Sequence, residues 1–63
     1  MAWYRVYLLD TSGRIESARD FESTDDAAAI AEAQRGYAAA GAPGYELWQG
    51  RRLVHKEVRA PAG

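Results

Sequence analysis

The 63-residue chain is long enough for one small domain, and a domain of this size buries only roughly 60% of the surface that its unfolded chain exposes. It has no cysteine and a single histidine, His55, which removes disulfides, thiolate metal sites and histidine-rich metal sites and leaves self-association as the remaining aid to folding. Eight Lys and Arg against nine Asp and Glu give a formal charge of −1, which argues against non-specific attraction to nucleic acid or to a membrane surface.

The first predicted strand is Trp3–Leu9, dense in β-branched and aromatic residues that suit a pleated surface. Asp10-Thr11-Ser12-Gly13 supplies a turn: aspartate favours its first position, and Gly13 accepts the left-handed conformation of a three-residue hairpin loop. Ile15–Phe21 returns as the second strand. An unbroken register sets Leu9 opposite Ile15, Tyr7 opposite Ser17, Arg5 opposite Arg19 and Trp3 opposite Phe21 on one side. Val6/Ala18 and Tyr4/Asp20 then share the other side. Both sides are substantially apolar, whereas a hairpin with one face in water alternates cleanly.

A helix follows over residues 25–40, with Thr24 as N-cap and Asp25 and Asp26 in the first turn, where carboxylates favour the helix dipole. Its apolar stripe centres on Ile30 and Tyr37, flanked by Ala27, Ala33, Ala38 and Ala40, with Ala28, Glu32, Arg35 and Ala39 opposite. Gly36 inside the helix costs about 1 kcal/mol relative to alanine. Gly41-Ala42-Pro43-Gly44 ends it, with glycine as C-cap and proline barring continuation. Tyr45–Gln49 and Arg52–Val58 form a second hairpin about Gly50-Arg51, a type II′ sequence that sets Trp48 opposite Leu53, Leu47 opposite Val54 and Glu46 opposite His55. Residues 59–63 read as a frayed tail.

These elements predict a single α+β domain over residues 1–63, a two-layer ββαββ sandwich with a four-stranded, mostly antiparallel sheet and one helix on one face. Strands two and three run the same way, joined by a crossover. No apolar run approaches the ~18 residues of a membrane span. The N-terminus lacks the pattern of a signal peptide, and the expected location is the cytoplasm of a bacterial cell.

The segments YRVYLLDTSGRI and YELWQGRRLV, with DFESTDDAAAIAEA between them, resemble a group of very short alphaproteobacterial proteins over residues 3 to 54. That resemblance implies no activity, cofactor or site. A looser likeness links the hairpin and the Asp25-Asp26 alanine helix to the HicB-type antitoxin module. The chain lacks that module's extra strand before the helix and its DNA-binding appendages.

One narrow helix cannot dry both faces of the sheet, so the surplus apolar side chains are the leading candidates for a site. Trp3, Tyr7, Leu9, Trp48 and Leu53 form a candidate interface, with Ile15 and Phe21 on the same side of the first hairpin as Trp3. Arg51, Arg52, Lys56 and Arg59 form a candidate basic patch, which keeps open an alternative reading as a single-stranded nucleic-acid or antitoxin-like binding module. His55 has no recognisable nucleophile or orienting carboxylate, and Asp25-Asp26 falls short of the six to eight oxygens that calcium takes. Neither a catalytic set nor a cofactor site emerges. The reading that results is a non-enzymatic interaction domain that forms a homodimer through sheet faces or edge strands, and a further protein partner fits the same surfaces.

Overall fold

A computed structural model describes residues 1–58, so the predicted tail, Arg59 included, lies outside the described residues. The elements are β1 (Ala2–Leu9), β2 (Ile15–Ser23), α1 (Asp26–Ala40), β3 (Gly44–Gln49) and β4 (Arg52–Val58). The strands form one open antiparallel sheet in the order β2-β1-β3-β4. Strands β2 and β3 therefore point the same way without touching, and α1 carries the chain over β1 to the far side. This is the α+β, ββαββ architecture.

Local chemistry explains both hairpins. The Asp10 carboxylate accepts from the Ser12 amide at 2.9 Å, the Ser12 hydroxyl at 2.7 Å and the Arg14 amide at 3.0 Å, and Gly13 takes φ +85° to close the loop. These donors hold the Asp10 carboxyl below the usual carboxylate range, the Ser12 hydroxyl contributing most. In the second hairpin Gly50 alone has positive φ, +59°, as a type II′ turn requires.

The registers contain what the unbroken pattern omits. In β2, Leu9 pairs with Ile15 but Leu8 pairs with Ser17, so Glu16 is an extra residue and everything beyond it slips by one. Phe21 thereby moves from beside Trp3 to beside Tyr4, on the helix side, where the two rings stack 5.9 Å apart. In β4, Trp48 pairs with Leu53 as expected, but Leu47 pairs with His55, leaving Val54 as the extra residue and Glu46 opposite Lys56. Both slips exchange a poor neighbour for an opposite charge: Asp20 replaces Arg19 opposite Arg5, and Lys56 replaces His55 opposite Glu46.

The helix begins one residue later than expected. Asp25, not Thr24, is the N-cap, its carboxylate accepting from the Ala28 amide at 2.8 Å, because β2 runs on to Ser23 and holds the backbone extended. At the other end Gly41 adopts φ +68° and donates back to the Ala38 carbonyl. The buried line is Ala29, Ala33 and Tyr37, at four-residue spacing. Ile30 is only partly buried, and Ala27, Ala38 and Ala40 are exposed, so the stripe is rotated from the one centred on Ile30. Small residues let the helix lie close to the sheet, and the large side chains come from below it. Tyr45 and Leu47 are fully buried there, with Tyr4 and Val6. Gly44 lets β3 and the end of β4 approach closely, since a Cβ there would sit 2.9 Å from the Glu57 carbonyl oxygen.

Candidate functional site

Strand alternation divides the sheet into a face under α1 and a face without a layer over it. Two cross-strand rows build the centre of the open face, and a third, Ile15–Leu9–Gly44–Val58, lies beyond them toward the Asp10–Gly13 turn. The first runs Asp20–Arg5–Trp48–Leu53 and the second Ala18–Tyr7–Glu46–Lys56. Trp3 lies beyond the first row on β1, next to Glu22. Trp3 is 63% exposed and Leu53 46%, while Tyr7 and Trp48 are half-buried by their neighbours. Trp3, Tyr7 and Trp48 border an open depression of about 590 Å³ that runs along β1 and β3 and reaches Ile15.

Polar groups on this face are already matched. The Arg5 guanidinium grips Asp20 with two hydrogen bonds, 2.6 Å from Nε and 3.0 Å from Nη2. That fork holds the Asp20 carboxyl below its usual range and keeps Arg5 protonated. The Trp48 indole donates to Glu46 at 3.0 Å, and Lys56 lies 3.5 Å from the same carboxylate. The surface therefore interleaves aromatic rings with two neutral charge pairs, and its aromatic rings and arginine are residue types enriched at protein contacts.

Of the five expected interface residues, Trp3, Tyr7, Trp48 and Leu53 share this face. Leu9 does not contribute to an exposed surface: it is 3% exposed, enclosed near the Asp10–Gly13 turn, Pro43 and Val58. Phe21 is likewise removed, by the bulge. Arg5, Asp20 and Glu46 complete the face and were missing from the candidate set. Their signal was the like-charge pair Arg5–Arg19 in the unbroken register, which a slip of one residue resolves.

The basic group is dispersed. Arg52 turns to the helix side, where both of its terminal nitrogens lie 3.0 Å from Asp26 oxygens and it also donates to Gln49. Tyr4 donates to the same Asp26 carboxylate at 2.8 Å, so one acid ties the helix start to β1 and β4. The bonds from Arg52 first, and then from Tyr4, hold the Asp26 carboxyl below its usual range, and the bond to Asp26 pushes the Tyr4 hydroxyl up. Helix-start electrostatics therefore account for Asp25 but for only part of what Asp26 does. Lys56 is committed to Glu46 on the opposite face, and Arg51 occupies the exposed turn.

His55 sits on the helix side, opposite Leu47, with its ring 5.9 Å from that of Tyr45. Tyr45 also packs against Tyr37 at 4.9 Å. Burial pushes the Tyr45 hydroxyl up; it makes no well-formed hydrogen bond, although the Gln34 side chain lies near enough to temper the shift. Among the described residues no cluster of three or more metal-ligating side chains occurs, and no helix is long and apolar enough to cross a membrane.

No family model, no curated protein and no solved structure matches the chain.

Proposed function

We propose that the protein is a non-enzymatic interaction domain that forms a homodimer through the open face of its sheet. The observation that carries this reading is the juxtaposition of Trp3, Tyr7, Trp48 and Leu53 on the face that α1 leaves uncovered. Tryptophan, tyrosine and arginine are the residue types that dominate the energetics of protein contacts, and Arg5 stands between two of these aromatics.

A second copy is the occupant that fits best. The two central rows of the face hold Arg5 and Lys56 against Asp20 and Glu46, so they have no net sign with which to select an acidic or basic partner. The edges are less suited to pairing, because each outer strand is broken by an extra residue, Glu16 in β2 and Val54 in β4. A cysteine-free chain of this size suits a reducing, cytoplasmic setting and gains from burying a second surface.

Light scattering after gel filtration tests the proposal: a dimer is expected at tens of micromolar, and a monomer there overturns it. The alternative, a single-stranded nucleic-acid or antitoxin-like binder, draws less support, since Arg52 and Lys56 are ion-paired on opposite faces. Titration of labelled short RNA and DNA at low salt is expected to show no binding, and salt-sensitive binding would favour that alternative.

A further inference from the structure

The registers place Arg5, Trp48, Glu46 and Tyr7 at the four corners of the centre of the open face. Arg5 is beside Trp48 in one row and Tyr7 is beside Glu46 in the next, with β1 on one side and β3 on the other. The two charges lie on one diagonal and the two aromatics on the other. A two-fold axis lying in the contact plane can be set in four simple ways on such a square. Parallel to the strands, it lays Glu46 on the other copy's Tyr7 ring; perpendicular to them, it lays Glu46 on Trp48. Both lay Arg5 on the remaining ring, a favourable contact, but both also put a carboxylate against the electron-rich face of an aromatic ring and bring no charge to its opposite. Along the Arg5–Glu46 diagonal, each charge meets its own copy, like against like. Along the Tyr7–Trp48 diagonal, Arg5 meets Glu46 twice, and each aromatic meets its own counterpart.

We propose that two copies of the chain pack open face to open face with strands steeply crossed, about a two-fold axis along the Tyr7–Trp48 diagonal, so that Arg5 of each copy pairs with Glu46 of the other. The inference rests on the homodimer reading and adds its geometry. Steep crossing is one of the two standard ways in which sheets stack. Each crossing extends an ion pair already present in the chain, giving the sequence Asp20–Arg5–Glu46–Lys56 with alternating sign. Such a four-membered array offsets part of the desolvation that a lone buried pair suffers. Trp48 meets Trp48 and Tyr7 meets Tyr7 along the axis, between the two charge crossings.

Charge exchange tests it on the full chain. Arg5→Glu alone sets two carboxylates at each crossing, and Glu46→Arg alone sets two guanidiniums. Each variant is expected to dimerise at least about a hundredfold more weakly than the unaltered chain, since like charges brought together across a contact cost several kcal/mol. An equimolar mixture of the two restores opposite charges at both crossings, so native mass spectrometry should show a heterodimer of one copy of each. The double exchange R5E/E46R in one chain should dimerise by itself, and because each exchange also sets a like charge beside Asp20 or Lys56, circular dichroism of every variant separates a failure to dimerise from a failure to fold. Full-strength dimers of either single variant, or a mixture and a double exchange that both stay monomeric, overturn the crossed arrangement. The homodimer reading fails separately, if the unaltered chain is monomeric, and its placement on the open face fails if Trp48→Ser leaves the dimer intact.

Discussion

The two faces of the sheet use the same four strands and hold comparable numbers of large apolar side chains, yet they are organised differently. Under α1, Tyr45, Leu47, Tyr4 and Val6 meet a flat line of alanines, and shape does nearly all the work. At the margin, Asp26 receives Tyr4 and Arg52. On the other face the rings of Trp3, Tyr7 and Trp48 alternate with Arg5–Asp20 and Glu46–Lys56. A surface that interleaves rings with matched charge tolerates water and can also lose it. A purely apolar core does only the second. The contrast supports the proposal that the uncovered side chains form a contact surface and are not the remainder of an oversized core.

The sharpest way to break this contrast is to cut into both faces. Leu47→Ala should lower folding stability by about 2–5 kcal/mol, measured by denaturant titration at a concentration where the chain is monomeric. Trp48→Ser should change stability much less under those conditions, while weakening dimerisation by about 2 kcal/mol or more in analytical ultracentrifugation. Equal losses of monomer stability would erase the difference between the faces.

A smaller effect concerns the helix that makes the covered face. Gly36 lies in α1 with nothing within 4 Å of where a Cβ would stand. Gly36→Ala should therefore raise the stability of the monomer by roughly 0.5–1 kcal/mol. A loss would mean that the helix needs its glycine for packing.

The smallest effect is at the margin. The Asp26 carboxyl is held below its unfolded value by Arg52 and Tyr4. Its stabilising contribution is thus present above the unfolded carboxylate pKa, near about 4, and is lost as pH falls through the lower folded value. Thermal melts from neutral to strongly acidic pH should show a shallower decline for Asp26→Asn than for the unaltered chain. An identical decline would assign the acid sensitivity to other groups, with Asp20 the first to examine.

Much of the fold was legible because punctuation is local. Asp10, Gly13, Gly41 and Gly50 act through their own backbones, and each does in the structure what its residue type requires. Strand pairing was less legible because one extra residue reverses every later side chain. Glu16 has no residue-type mark of a bulge. Only the pairing of Arg5 with Arg19 signals that the simple register is wrong, and it reveals Asp20 as the partner. The open face was readable in its aromatics and unreadable in its charges for the same reason. Leu9 was misassigned because its cover comes from turns rather than from a regular element, and alternation says nothing about turns.

The extra residues in β2 and β4 have one more consequence, for the size an assembly can reach. Both lie in the outermost strands of the sheet, at its two free margins. Contact along such margins repeats without end, because every added copy presents a fresh margin, and fibres grow that way. Contact through a single face about a two-fold axis uses up the surface on both partners and stops at two. With a kink at each border, the proposed contact through the open face gives an assembly that counts to two.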